Sequence, residues 1–157
     1  MRSSWRKGFS FGLTSGIITT LGMIVGLNSS THSQMVVIGG ILAIAVADAF
    51  SDALGIHISE ESENKHSPKE IWQATLSTLG AKFFFALTFI APVLLLPLQE
   101  AIIASVVYGL LLIAIVSAAM AKEQKQKIHA VVAEHLSIAA AVIIITHLVG
   151  GFVATLG

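Results

Sequence analysis

Apolar and polar positions divide the chain into five long apolar stretches separated by short polar turns. The first runs from Gly8 to Leu27 and ends at the polar turn from Asn28 to Gln34. At about 1.5 Å per residue it is long enough to cross a hydrocarbon core of about 30 Å. The second, Met35 to Ile58, carries Asp48 and Asp52 within an otherwise apolar run and passes directly into the polar segment Ser59 to His66. The third opens with Ser67-Pro68-Lys69-Glu70, which reads as a capping box with proline at the first helical position, and keeps its helical pattern to Leu98. Its first turns are amphipathic and are expected at the membrane interface. The fourth, Ala101 to Met120, and the fifth, Ala130 to Leu156, are separated by a solvated loop from Lys122 to Lys127. This pattern predicts an all-α integral membrane protein with about five transmembrane helices, at 8–27, 35–58, 68–98, 101–120 and 130–156. They form a single transmembrane domain over 1–157, with 59–67 as a short acidic cytoplasmic segment.

Composition agrees with that pattern. Of the 157 residues, 55% are hydrophobic and 11% charged, against about 25% charged in soluble domains, so the apolar excess is expected to face lipid. The chain has no cysteine, which excludes disulfides and thiolate metal sites and leaves carboxylate, imidazole, thioether and hydroxyl groups as possible ligands. A formal net charge of zero offers no bulk basic surface to nucleic acid. Placement of charge says more. Arg2, Arg6 and Lys7 precede the first stretch, Lys65 and Lys69 follow the second, Lys122, Lys125 and Lys127 follow the fourth, and Lys82 reads as lying near the inner end of the third. With no basic residue at an outer end, the N-terminus is expected inside and the C-terminus outside. The first stretch is too long for the core of a cleavable signal and is expected to stay as a membrane helix.

Ionisable groups at membrane depth cost at least about 2.5 kcal/mol on insertion scales and line functional paths more often than not. Asp48 and Asp52, four residues apart, point the same way on a helix and so can share one cation. The competing reading pairs them with Lys82 as glue between helices. On the first stretch Gly8, Gly12 and Gly16, then Gly22 and Gly26, repeat every four residues and invite close helix approach. Beside them Ser15, Thr19, Thr20 and Met23 offer hydroxyl and thioether groups to complete coordination. Glu60, Glu61 and Glu63 with His57 and His66 form a run able to capture manganese, iron(II) or zinc at the cytoplasmic face. Glu134 and His135, about one turn inside the fifth stretch, suit a proton relay. Trp5 and Trp72 read as interface anchors. There is no phosphate-binding glycine loop, HExxH helix or nucleophile elbow, so an enzyme is not expected.

Two stretches, GLTSGIITTLGMIVGL (Gly12 to Leu27) and ADAFSDALGIHISEESE (Ala47 to Glu63), resemble the vacuolar iron transporter family. The first has that family's Gly-Leu-x-Ser start and glycine-spaced run. The second has its Ser-x-x-x-Gly-x-x-x-Ser pattern in Ser51, Gly55 and Ser59. The resemblance implies a homodimer moving iron(II) or manganese out of the cytosol in exchange for protons, along a path between first and second helices. That path would include Asp48, Asp52, Met23, Thr19 and Ser51. Departures are Phe11 where the family has an aspartate, Asp52 where it often has methionine, Ile56 where it commonly has glutamate, and a cytoplasmic segment shortened to Ile58 to Ser67.

The expected function is thus a membrane transporter of Fe2+ or Mn2+, with the metal as cargo and no permanently bound cofactor. Its partners are divalent metal, protons and the lipid bilayer. The expected location is the plasma membrane of a prokaryote, or a vacuolar-type membrane in a eukaryote. Two alternatives are a non-transporting scaffold that assembles helices, and an intramembrane metal-dependent enzyme using Glu134, His135 and the aspartates.

Overall fold

A computed structural model describes residues 2–156; Met1, Gly157 and the side chains of Arg2 and Ser3 lie outside the described residues. The described chain is helical almost throughout and has no strand: α1 Arg2–Thr31, α2 Gln34–Ser62, α3 Pro68–Thr88, α4 Ile90–Leu95, α5 Leu98–Glu123 and α6 Ile128–Ala154. Five spans among them are long and apolar enough to cross a membrane, with α3 and α4 together forming one of the five.

The helices overrun the sequence-predicted bounds at most ends. α2 continues through Ser62, so the first half of the expected acidic segment is helix and Asp52 lies well inside the span. The third span differs in the other sense. Pro92 has no N–H to bond Thr88, and its ring clashes with the carbonyl four residues back, so α3 stops at Thr88 and a short α4 takes over. Pro97 then closes the span after Leu95. The start of α3 carries the expected capping box: Ser67 Oγ accepts from the Glu70 N–H, and Glu70 Oε2 accepts from the Ser67 N–H at 2.9 Å. Tight turns close on left-handed residues, His32 after α1, Asn64 after α2 and Lys125 after α5. Such short links force consecutive spans to lie side by side.

α1 is the central helix and packs on α2, α3, α5 and α6. Its glycines explain how. In the first half of α1, a Cβ on Gly8 would strike Ala74 O, one on Gly12 would strike Thr78 O, and one on Gly16 would lie 3.1 Å from Lys82 Cα. α3 therefore runs backbone against backbone along that half, and Thr78 Oγ1 donates to Gly8 O at 3.0 Å. In the second half the partner changes to α6, with Val142 and Thr146 over Gly22 and Gly150 against Gly26 O. Without a hydrophobic drive between helices in lipid, close packing of this kind supplies the attraction. The buried core between these contacts contains Leu13, Ile17, Leu21, Ile24, Ile41 and Phe89. Large apolar side chains such as Phe50, Leu54, Ile115 and Ile144 face outward, as a lipid-facing surface requires.

Candidate functional site

Three charged side chains meet near the middle of the spans. Asp48 and Asp52 project from the same side of α2, beside the buried small residues Ala45, Ala49 and Ala53. Lys82 of α3 reaches between them, its Nζ 2.5 Å from Asp48 Oδ2 and 2.5 Å from Asp52 Oδ2. The lysine side chain is 1% exposed, while the two carboxylates are 29% and 21% exposed. Ser15 of α1 completes the group: its Oγ donates to Asp52 Oδ2 at 2.6 Å and accepts from Lys82 Nζ at 3.0 Å. The contact with Asp48 differs in kind. Asp48 Oδ2 is buried and accepts no directed hydrogen bond, so the ammonium meets it as a charge. Gly16 sets this geometry, because close approach of α1 and α3 there brings the stem of Lys82 within reach of both α1 and α2.

Counting from Pro68 at 1.5 Å per residue, Lys82 stands about 21 Å into α3. That corrects its expected place near the inner end and puts it level with the aspartates it bridges. With both carboxylates ionised and the lysine charged, the cluster carries one net negative charge.

Other expected path residues stand apart. Met23 packs against Gly40, two turns of α2 from Asp48, and lines a separate groove of about 350 Å³ with Gly22, Gly26, Thr146 and Gly150. The Thr19 hydroxyl is taken by its own helix, donating to Ser15 O at 2.9 Å. Ser51 faces outward from α2, since it lies about 100° from Asp52 on the helix. Ser15 belongs to the cluster in its place.

At the basic end, Glu60 is fully buried. Lys7 Nζ contacts Glu60 Oε1, and His66 Nε2 lies 3.5 Å from both Glu60 Oε2 and Glu63 Oε2. Lys7 also donates to Glu63 at 3.4 Å, and that hydrogen bond holds the Glu63 carboxyl below its ordinary value of 4.5. The expected capture run is therefore split. His57 turns away: its Nδ1 lies 2.9 Å from Thr75 Oγ1 and its ring packs edge-on to Trp72. Because the Thr75 hydroxyl hydrogen is given to Ile71 O, His57 Nδ1–H is the donor. Glu61 is exposed. Among the described residues no group of three or more His, Asp or Glu is placed to hold a metal ion. A lysine sits where such a group would close, at Lys7 here and at Lys82 in the middle of the spans.

An open cleft of about 910 Å³ enters from the same end between α1, α5 and α6, lined by Arg6, Phe11, Thr14, Met120, Glu123 and His135. Arg6 and Glu123 pair across its mouth. Phe11 is thus a wall of this cleft, which contains neither Asp48 nor Asp52, although Thr14 of its lining adjoins Ser15 in sequence. His135 faces it with Nδ1 2.7 Å from Ser117 Oγ. Glu134 is exposed on the outside of α6, so the two neighbours do not form a pair.

Five apolar spans, a glycine-packed first helix and a carboxylate pair on the second are the features to set beside known proteins. Residues 7–71 match the VIT family. The VIT match covers α1, α2 and the first turn of α3, the two helices that hold Ser15, Asp48 and Asp52, and ends before Lys82. No curated protein and no solved structure compared with the chain matches it. The VIT match covers less than half of the chain, and together with the five spans it points to an integral membrane protein.

Proposed function

We propose that the protein moves a divalent metal, iron(II) or manganese, out of the cytosol in exchange for protons, and that Asp48 and Asp52 receive the ion. The observation that carries this reading is the convergence of the two carboxylates at mid-span on a cationic centre, with both of them partly open to the chain's surface. Hard oxygen donors suit either metal, and a site that takes up protons once the ion has left would couple the two fluxes. Two carboxylates and a serine are too few for a divalent ion, which takes about six ligands including water. A second copy of the chain, related by a twofold axis along α2, would supply the rest, and this is our reason for proposing a homodimer. The cleft lined by Phe11 and His135 is the proposed cytoplasmic approach, with His135 rather than Glu134 as a proton carrier within it. Glu60 and Glu63 are proposed as structural partners of Lys7 instead of capture ligands.

In proteoliposomes with an inward-directed acid gradient, wild-type protein is expected to carry Mn2+ or Fe2+, and Asp48→Asn to abolish the flux. Undiminished flux in that variant would remove Asp48 from the path. One observation favours a second reading: Lys82 already bridges the pair, as helix glue in a non-transporting scaffold would. Such a scaffold would show no saturable metal binding that depends on Asp48 and Asp52.

A further inference from the structure

Lys82 is buried, yet its ammonium occupies the space between the two carboxylates that a divalent ion would need. A metal coordinated by Asp48 Oδ2 and Asp52 Oδ2 would sit about 2.0–2.6 Å from those atoms, and Lys82 Nζ stands 2.5 Å from the same two oxygens. Neither volume nor charge allows both at once. The lysine is also held by few directional bonds: one goes to Asp52 on α2 and one to Ser15 on α1, and none to Asp48. Lysine is a point charge on a flexible four-carbon stem, suited to leave and return, whereas a planar guanidinium would clamp both carboxylates.

We propose that Lys82 is a tethered counter-ion of the cation site: it fills the site when no metal is bound, must withdraw before a divalent ion can bind, and by returning expels it. This rests on the reading of Asp48 and Asp52 as cation ligands and adds the residue that sets their affinity. Apparent affinity scales with the fraction of molecules whose site is free. Removing the tethered charge therefore tightens binding, while a charge that cannot leave weakens it. Loss of structure alone would only weaken it.

The test is Mn2+ binding to the purified full-length protein in detergent, at one fixed pH, followed by the electron paramagnetic resonance signal of free Mn2+. Lys82→Met and Lys82→Gln are expected to bind at least about tenfold more tightly than wild type, and Lys82→Arg more weakly. Adding Asp48→Asn to Lys82→Met is expected to reverse the gain. In proteoliposomes Lys82→Met should bind well and release slowly, so its flux saturates at lower Mn2+ and at a lower maximum. If wild type binds Mn2+ through Asp48 and Asp52 while both neutral variants bind no more tightly, or Lys82→Arg keeps wild-type affinity, the counter-ion role is overturned and the transport reading stands. If no form binds Mn2+ in a manner that depends on the two aspartates, the cation-site reading falls and the lysine's role with it. Should Lys82→Met fail to fold, Lys82→Gln and Lys82→Arg decide the matter.

Discussion

At the scale of single residues, the mid-span cluster is redundant in charge, and that makes its mutants informative. Lys82 has two acidic partners, so Asp48→Asn leaves Asp52 to neutralise it and is expected to fold with little loss. Removing both aspartates strands a buried ammonium. Breaking a buried pair by deleting one side costs about 3–5 kcal/mol, so Asp48→Asn with Asp52→Asn should lose far more than the sum of the singles. Thermal unfolding in detergent measures the difference, and additive losses would show that Lys82 does not depend on the pair. A milder effect is expected at Glu63. Its carboxyl is held below 4.5 by the hydrogen bond from Lys7, so the folded state takes up that proton less readily than the unfolded chain. The contribution is complete above about 4.5 and is lost as pH falls through the lowered value; Glu63→Gln should flatten that part of a melting temperature against pH curve. The sequence displayed both aspartates through their depth and spacing. It offered Lys82 only as an alternative partner, because a linear count from the nearest turn says nothing of which helix a long side chain reaches.

At the scale of elements, the glycines of α1 separate what pattern alone can say from what it cannot. Their spacing of four announces close packing, but that one half faces α3 and the other α6 follows from the arrangement of all five spans. Gly12 is a strict position, since a Cβ there meets the backbone of Thr78, and backbone cannot rotate aside. Gly12→Ala is expected to lower stability by about 1–3 kcal/mol and to disturb Lys82 one turn away, weakening Mn2+ binding as well. Gly80→Ala is the control: nothing stands within 4 Å of its Cβ, and alanine favours helix by about 1 kcal/mol, so it should be neutral or stabilising. Equal damage at both positions would mean that contact with α3 does not govern the response. Pro92 is a similar case. The proline is plain in the sequence, yet apolar periodicity on both sides of it reads as one helix, and only the missing bond to Thr88 divides α3 from α4.

At the scale of the whole molecule, charge is sorted by end. Lys7 with Glu60 and Arg6 with Glu123 tie the start of α1 to the ends of α2 and α5, so Arg6, Lys7, Lys65, Lys69, Lys122, Lys125 and Lys127 all gather at one end of the bundle. The turns at the other end, around His32 and between Leu95 and Leu98, hold no lysine or arginine. Insertion machinery retains short basic loops on the cytoplasmic side, which predicts that this end faces the cytosol and that α6 runs outward. The absence of cysteine gives a clean background for the test. A single thiol introduced as Lys125→Cys is expected to resist a membrane-impermeant maleimide in intact cells and to react once the membrane is opened, and His32→Cys to react in both conditions. The reverse pattern would invert the protein and, with it, the direction of the proposed flux, because the cleft beside Phe11 and His135 would then open to the outside. Labelling at both positions in intact cells would instead indicate two opposed orientations in one membrane, and a dimer built from antiparallel copies could not place the two Asp48 and Asp52 pairs on one twofold axis along the membrane normal.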